Sequence, residues 1–292
     1  MKLFRRSGTV LDRTGSQPVE TGTVQWIREL NDALAESGRS DRPVFALFQE
    51  VPGCAGCKQF GKDVLSDPFV VEAIEQEFVP LLIHNNTGGR DAEVLAAYGE
   101  PAWNFQVVRF LGSNGVDLIE RRDRVWETGP LLARMVTALQ ADGREIPDHL
   151  RLLEQQHSDR LQEVFFAQPC FWVGEMELGQ IEGVVFTEAG FMHGAEVTRV
   201  LYDPREISLE TLHAQARQRN VAQAVFADAA DTVALVDRKP GKYRVAPASD
   251  QKRQLGRRSS SENFTPSQLT KLNGFVIRSR EAERFLFPSQ RR

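Results

Sequence analysis

Val44-Phe45-Ala46-Leu47-Phe48, followed within a few residues by Gly53-Cys54-Ala55-Gly56-Cys57-Lys58, is the stretch whose reading decides the fold of the first half of the chain. The apolar run reads as a strand, and the stretch from the cysteines to about Leu65 reads as a helix. A C-x-x-C between strand and helix lets two thiols close a small ring, while the unpaired helix amides lower the pKa of the first. Upstream, Val24, Ile27, Leu30 and Leu34 recur at helical spacing, order is expected from Glu20, and Ser37-Gly38 stops that helix. Residues 1–19 are polar and read as a flexible arm. Downstream, Ser66-Asp67-Pro68 supplies an N-cap and a first-turn proline for a second helix through Phe78. Val79–Ile83 then reads as a buried strand, Asn85–Arg90 as a loop and Ala92–Tyr98 as a short helix. Asn104–Leu111 reads as a strand with a hairpin partner across Gly112-Ser113-Asn114-Gly115, and a final helix covers Pro130–Gln140.

With 292 residues, 41% hydrophobic and 26% charged, the composition is that of a globular protein of two domains. The formal charge of −4 gives no reason to expect nucleic acid or an anionic membrane as a partner. Met1–Arg6 is basic but runs into Ser7-Gly8-Thr9 without an apolar stretch, so no signal peptide is expected, and no run approaches the roughly 18 apolar residues of a membrane span. The expected location is the cytoplasm. Three cysteines are too few and too oddly numbered for a disulfide framework in a reducing compartment, which points to catalytic or redox thiols. The chemistry expected of them needs no cofactor, only a thiol or dithiol reductant.

The order of elements, with C-x-x-C-Lys after the first central strand and Gly99-Glu100-Pro101 before a later one, resembles the thioredoxin fold over about residues 20–140. The resemblance implies that Pro101 is cis and faces the dithiol, since a cis peptide is common only before proline. The helix from Pro68 is similar to the one inserted after the active site in a thioredoxin-like subgroup. Gly53 stands where thioredoxins have tryptophan, Ala-Gly fills the motif, and Phe48 lies six residues before Cys54, where the family has a buried aspartate. A proton acceptor is therefore missing from its family position. Two thiols idle in a scaffold are the bland alternative. Zinc is another, but it wants four ligands, and neither a second C-x-x-C nor a close His pair exists.

Residues 141–160 are charged and polar and read as a linker, with a helix starting at Pro147-Asp148. The second domain is expected over 161–248. Val164–Ala167, Gly183–Glu188, Glu196–Tyr202 and Val233–Val236 read as strands, and Phe171–Gln180 and Leu209–Arg217 as helices, an α+β sandwich. Residues 249–292 read as a C-terminal extension, with Arg257-Arg258-Ser259-Ser260-Ser261 as a flexible stretch and a short helix from Thr265-Pro266.

Pro169-Cys170-Phe171-Trp172, Ile181-Glu182-Gly183-Val184, Thr187-Glu188-Ala189-Gly190-Phe191 and Gly194-Ala195-Glu196 through Tyr202-Asp203-Pro204, then Ile207-Ser208, follow one another over about residues 161–217. This order resembles the A-class peptide methionine sulfoxide reductases, so the resemblance implies their ferredoxin-like type of α+β fold. It further implies that Cys170 attacks the sulfoxide sulfur, that Phe171 and Trp172 hold the substrate methyl, that Glu196 protonates the departing oxygen, and that the S epimer is taken. The residue types suit those roles. A thiolate is favoured at a helix N-terminus, and sulfoxide oxygen leaves only when protonated. Among Val184, Val185, Val197 and Val200, Glu196 is expected to keep its proton by desolvation. Core packing of the two aromatics and an exposed strand position for Glu196 are the plain alternatives. Pro169 replaces the family's glycine, the loop bearing a catalytic tyrosine is cut to Met192-His193, the downstream Asp and Tyr of the family have no clear match, and no thiol lies C-terminal to Cys170. Tyr243 and His193 are the candidate substitutes for the lost donor, each against a plain surface role.

The expected protein is thus a methionine sulfoxide reductase whose N-terminal Cys54/Cys57 domain regenerates Cys170, with free or protein-bound methionine sulfoxide and an external thiol as partners. The alternatives are a disulfide oxidoreductase working on outside proteins, its second half only binding a methionine-containing partner, and a non-catalytic redox sensor.

Overall fold

The computed structural model describes residues 17–102, 106–228, 237, 239–258, 264–275 and 279–291. Two units divide the chain, Met1–Ile146 and Pro147–Arg292.

The first unit runs α1 (Leu30–Ser40), β1 (Val44–Gln49), α2 (Ala55–Asp63), α3 (Pro68–Glu77), β2 (Val79–His84), α4 (Arg90–Ala97), β3 (Gln106–Leu111), β4 (Arg122–Asp123) and α5 (Thr128–Ala141). Its sheet has the order β2-β1-β3-β4, with β1 parallel to β2 and antiparallel to β3. All six residues of β1 are buried, because both faces of the sheet are covered. On one face Ala46 and Phe48 meet Ala33 of α1 and Leu95 of α4. On the other, Phe45 packs its ring against Trp26, Phe78 and Phe110, with centroids 5.5 to 6.1 Å apart. Asp67 caps α3 as expected, accepting from the amides of Phe69 and Val70 at 2.9 and 3.0 Å, a cap of about 1 kcal/mol.

The N-terminal helix is shorter than its apolar spacing predicts and starts at Leu30. Trp26 and Ile27 precede it in extended chain: Ile27 donates its amide to the Pro80 carbonyl at 2.9 Å and its carbonyl accepts from Leu82 at 3.0 Å, so this backbone is bonded to the edge of β2. A segment committed to a strand edge cannot also make helical i to i−4 bonds. Beyond β3, the antiparallel partner is β4, with a lone bridge from Leu111 to Asp117. Residues 1–16 of the expected arm, and Asn104, lie outside the described residues.

The second unit runs α6 (Asp148–Gln156), β5 (Gln162–Ala167), α7 (Phe171–Gly179), β6 (Val184–Met192), β7 (Ala195–Tyr202), α8 (Leu209–Gln218), β8 (Ala224–Phe226), β9 (Arg244–Val245), α9 (Pro266–Phe275) and α10 (Ser279–Ala282). Five strands form an antiparallel sheet in the order β8-β5-β7-β6-β9. One core joins Val164, Phe166 and Val200 of the sheet to Leu178 of α7 and Leu212 and Ala216 of α8. A second cluster, Phe165, Ala167, Met192, Val197 and Phe226, occupies the opposite face.

Two boundaries expected from composition differ in the structure. α6, read as part of a linker over 141–160, belongs to the second unit, where Leu152 packs with Val185, Phe275 and Phe285. The residues after 248 are integral to the same unit: Thr270 of α9 accepts from the Thr187 amide at 3.2 Å, and the buried Lys271 amine donates to the carbonyls of Gly179 and Ile181 at 3.1 and 2.8 Å. Charged residues concealed these roles, because their aliphatic stems and hydrogen bonds let them enter a core that a hydropathy pattern denies them. The strand expected at Val233–Val236 and the stretch Ser259–Ser261 lie outside the described residues.

Candidate functional sites

Cys54 is the N-cap of α2, in extended conformation, and its sulfur accepts from the Cys57 amide at 3.2 Å. The two sulfurs are 2.8 Å apart. Cys54 is half-buried and Cys57 fully buried, an asymmetry that leaves the first thiol for an incoming sulfur and the second behind it. Burial is the main cause that pushes Cys57 up to about 12, with the Cys54 thiol adding to it. Gly53 permits this packing: a Cβ there would stand 2.4 Å from the Glu50 carbonyl and 2.7 Å from Cys57 Cβ.

Sequence reasoning missed Glu50. Its carboxylate and both sulfurs lie within 4.8 Å of one another. It lies just past the end of β1, two residues beyond Phe48, and its signal was an acidic residue where that strand meets the dithiol turn. The same three side chains offer three metal ligands, one fewer than a closed tetrahedral zinc site takes. Trp126 adds a wall, stacking edge-on against Phe60 of α2 at 6.0 Å and bordering a groove of about 530 Å³ with Gly56, Asp63 and Glu127.

Pro101 does not have the conformation implied by the resemblance. The cis peptide among the described residues is Val51–Pro52, before the dithiol, and not Glu100–Pro101. Glu100 is instead tied by its side chain to Arg109 and Arg121 at 3.0 and 2.7 Å, which fixes the turn leading to Pro101 from another direction.

In the second unit Cys170 is the half-buried N-cap of α7 and makes no side-chain cap bond. Glu196 of β7 clamps the chain on both sides of it: its carbonyl accepts from Gln168 at 3.2 Å and its Oε2 from the Phe171 amide at 2.8 Å. Among the described residues Oε1 has no hydrogen-bond partner. Phe171 is 5% exposed and meets Trp172 at 6.0 Å and Phe191 at 5.5 Å, both edge to face. Thiol, carboxyl and an aromatic wall thus meet at the start of one helix.

The expected apolar setting of Glu196 is corrected. Glu196 pairs with Phe191, whereas Val184 pairs with Tyr202 at the other end of β6 and β7, roughly 20 Å along the strands. Val197, one residue on, points to the opposite face with Phe165 and Met192. Rings of Phe171 and Phe191 take the place of the valines.

Neither substitute donor is at this site. Tyr243 stacks on Phe165 at 5.2 Å, on the face away from α7, and donates to Glu188 Oε2 at 3.1 Å. Gly190 makes room for it, since a Cβ there would stand 2.3 Å from the tyrosine ring. Burial, then the Glu188 charge, raises the Tyr243 pKa far above the ordinary phenol value. His193 has φ 51° and Gly194 φ 80°, the two left-handed positions of a tight hairpin turn. Its exposed imidazole rests on Phe226, at 5.0 Å, again on the far face.

Comparisons with known proteins give two likenesses. Residues 25–106 match the Thioredoxin-like family. The chain is also similar to peptide methionine sulfoxide reductases. It is 41% identical over 64 residues to peptide methionine sulfoxide reductase A2 of Arabidopsis thaliana, covering 16% of this chain and 29% of that protein. To peptide methionine sulfoxide reductase MsrA 1 of Rhizobium meliloti (strain 1021) it is 31% identical over 105 residues, covering 28% of this chain and 48% of the relative. The chain therefore spans between about three tenths and a half of the length of these curated relatives. A solved structure titled DsbH Oxidoreductase aligns at 16% identity with a TM-score of 0.34, covering 44% of this chain and 93% of its own. Among the described residues, no helix is long and apolar enough to cross a membrane.

Proposed function

We propose that the second unit reduces the S epimer of methionine sulfoxide and that the thioredoxin-like unit regenerates it. The observation that carries this reading is the 2.8 Å bond from the Phe171 amide to Glu196 Oε2, which brings acid, helix-start thiol and aromatic wall to one point. The Cys170 thiolate attacks the sulfoxide sulfur and forms a sulfur–sulfur bond as the oxygen takes up a proton; the hydroxyl then passes from the methionine sulfur to the Cys170 sulfur while the sulfur–sulfur bond breaks, releasing methionine and leaving Cys170 as a sulfenic acid. Glu196 supplies a proton to that oxygen through Oε1, Oε2 being held by the amide. Phe171 and Phe191 offer contact to a methyl group and no hydrogen bond to a more polar one, and the ring face of Trp172 adds to that contact.

The other two thiols of the sequence, Cys54 and Cys57, are the candidates to resolve that sulfenic acid. Cys54, the more open thiol of the dithiol pair, attacks it: a Cys54–Cys170 disulfide forms and water leaves. Cys57 then displaces Cys170 as thiol, giving a Cys54–Cys57 disulfide for an external thiol to reduce. Glu50 takes the proton that the buried Cys57 must lose.

The test oxidises the Cys57→Ser variant with one equivalent of methionine sulfoxide and maps the digest by mass spectrometry. A Cys54–Cys170 cross-link within one chain is the expected product. Persistent Cys170 sulfenic acid with Cys54 free would separate the two units functionally. That result would favour a second reading, supported by the open Cys54, buried Cys57 and adjacent Glu50, in which the dithiol serves outside proteins.

A further inference from the structure

Charge surrounds the Cys170 site that the reduction itself does not use. On the α7 face of the sheet, Phe191 has two lateral neighbours: Glu196 of β7 pairs with it on one side and Arg244 of β9 on the other. With strands about 4.8 Å apart, the acid and the arginine start roughly 10 Å from one another across the phenyl ring. The Arg244 guanidinium lies over that ring, 4.2 Å from its centroid, and Arg253 covers Trp172 in the same way at 4.8 Å. Two cations thus lie on two of the aromatic rings that wall the site.

Both arginines are exposed, and among the described residues neither guanidinium has an ion-pair or hydrogen-bond partner. Arg199, Arg205 and Arg219 of the same unit each hold a carboxylate at 2.5 to 3.0 Å. A guanidinium over an aromatic ring is attracted through its face, and its N–H donors lie in its plane, in the fork that matches a carboxylate. Stacking also limits the rotamers it loses when an anion arrives. At about 10 Å the attraction between Arg244 and Glu196 is largely screened in ordinary salt, so each group is left to the ligand.

Resting on the reductase reading, we propose that Arg244 and Arg253 form an anion-binding rim that selects sulfoxide substrates bearing a carboxylate close to the sulfoxide side chain. Sulfur is placed at Cys170, oxygen at Glu196 and the carboxylate at the rim. That carboxylate has two sources: the terminal carboxyl of the oxidised methionine itself, or an acidic side chain beside it in a peptide.

The test compares kcat/KM, with dithiothreitol as reductant, for N-acetyl-methionine sulfoxide and its neutral amide, and for capped peptides with Asp, Gly or Lys flanking the sulfoxide. The full-length protein is expected to prefer the anion by about tenfold or more, a preference that shrinks in 0.5 M salt. Arg244→Gln and Arg253→Gln should each lower the preference about fivefold, the scale of one exposed ion pair, by raising KM for the anion, while Arg244→Lys restores most of it. Preference for the acid over the amide alone assigns the rim to a terminal carboxyl, and preference for Asp flanks alone assigns it to acidic peptides. Calorimetric binding of N-acetyl-methionine against its amide keeps the two proposals apart. Turnover without any anion preference overturns the rim and leaves the reductase. Carboxylate-dependent binding without turnover retains the rim and overturns the reductase. Loss of both preference and turnover overturns both.

Discussion

The two thiol sites of this protein start from one local motif, a cysteine as helix N-cap, and end in opposite chemistry. At α2 the sulfur of Cys54 uses the third helical amide itself, through the 3.2 Å bond from Cys57, and a second thiol is buried behind it. At α7 the cap bond is absent, and the first helical amide, that of Phe171, is given to Glu196 at 2.8 Å. On the proposed reading one helix start passes electrons between sulfurs, and the other sets a thiol beside an acid and a wall of rings. A helix N-terminus favours a thiolate in both places, but what occupies its amides decides whether the partner is another sulfur or an oxygen to be protonated.

The largest test of that contrast is Cys170→Ser, which should abolish dithiothreitol-driven reduction of methionine sulfoxide, by about 1,000-fold or more. Cys54→Ser should still release one methionine per chain in a single turnover; if the two variants behave in the reverse way, the roles of the sites are exchanged. Glu196→Gln should lower kcat by about 100-fold with substrate binding little changed, and an unaltered rate and pH profile would remove its role as acid.

A smaller effect is expected at the other helix. Because burial pushes Cys57 up to about 12, release of a mixed disulfide from Cys54 should accelerate as pH rises towards that value, the attacking thiolate becoming more populated. Glu50→Gln should slow this step about tenfold near neutral pH and steepen its rise with pH, measured by stopped-flow release of an aromatic thiol. Equal rates in the two proteins would leave Glu50 without a function in exchange.

Smallest are two changes outside both sites. Tyr243→Phe removes the hydroxyl that donates to Glu188, at a cost of about 1 kcal/mol in denaturant unfolding, with kcat/KM altered by less than about twofold. A large loss of activity would return Tyr243 to the catalytic side. Lys271, held near 7 by burial, binds its proton less readily folded than unfolded, so its contribution to stability rises with pH from 7 to above 10. Lys271→Met should flatten that rise in the urea midpoint, and an unchanged pH dependence would show that the amine is ionised in the core.

Much of the fold was legible because it rests on local rules. The β1 run, the Asp67-Pro68 start of α3 and the β5, α7 and α8 segments follow from periodicity and caps, which need only near neighbours. The helix read from Val24, Ile27, Leu30 and Leu34 was too long because Ile27 bonds to β2, a partner about 55 residues away that no local period can reveal. Cys54, Cys57, Cys170, Phe171, Trp172 and Glu196 were legible as candidates, since reactive groups at motif spacing mark themselves; the isomer expected at Pro101 was not correctly read, and of the two substitute donors His193 keeps the plain exposed role that its sequence favoured while Tyr243 lies on the other sheet face, since sheet face and peptide isomer are decided by packing.

The sequence alone determined where the thiols stand relative to their helices, because an N-cap is fixed by the residues on either side of it. Only the tertiary structure decided that Glu196 reaches the Phe171 amide, that Glu50 meets both sulfurs of the dithiol, and that Phe191 lies between Glu196 and Arg244. The first and last of these encounters depend on strand register, and a shift of one residue would turn each of those side chains to the opposite face.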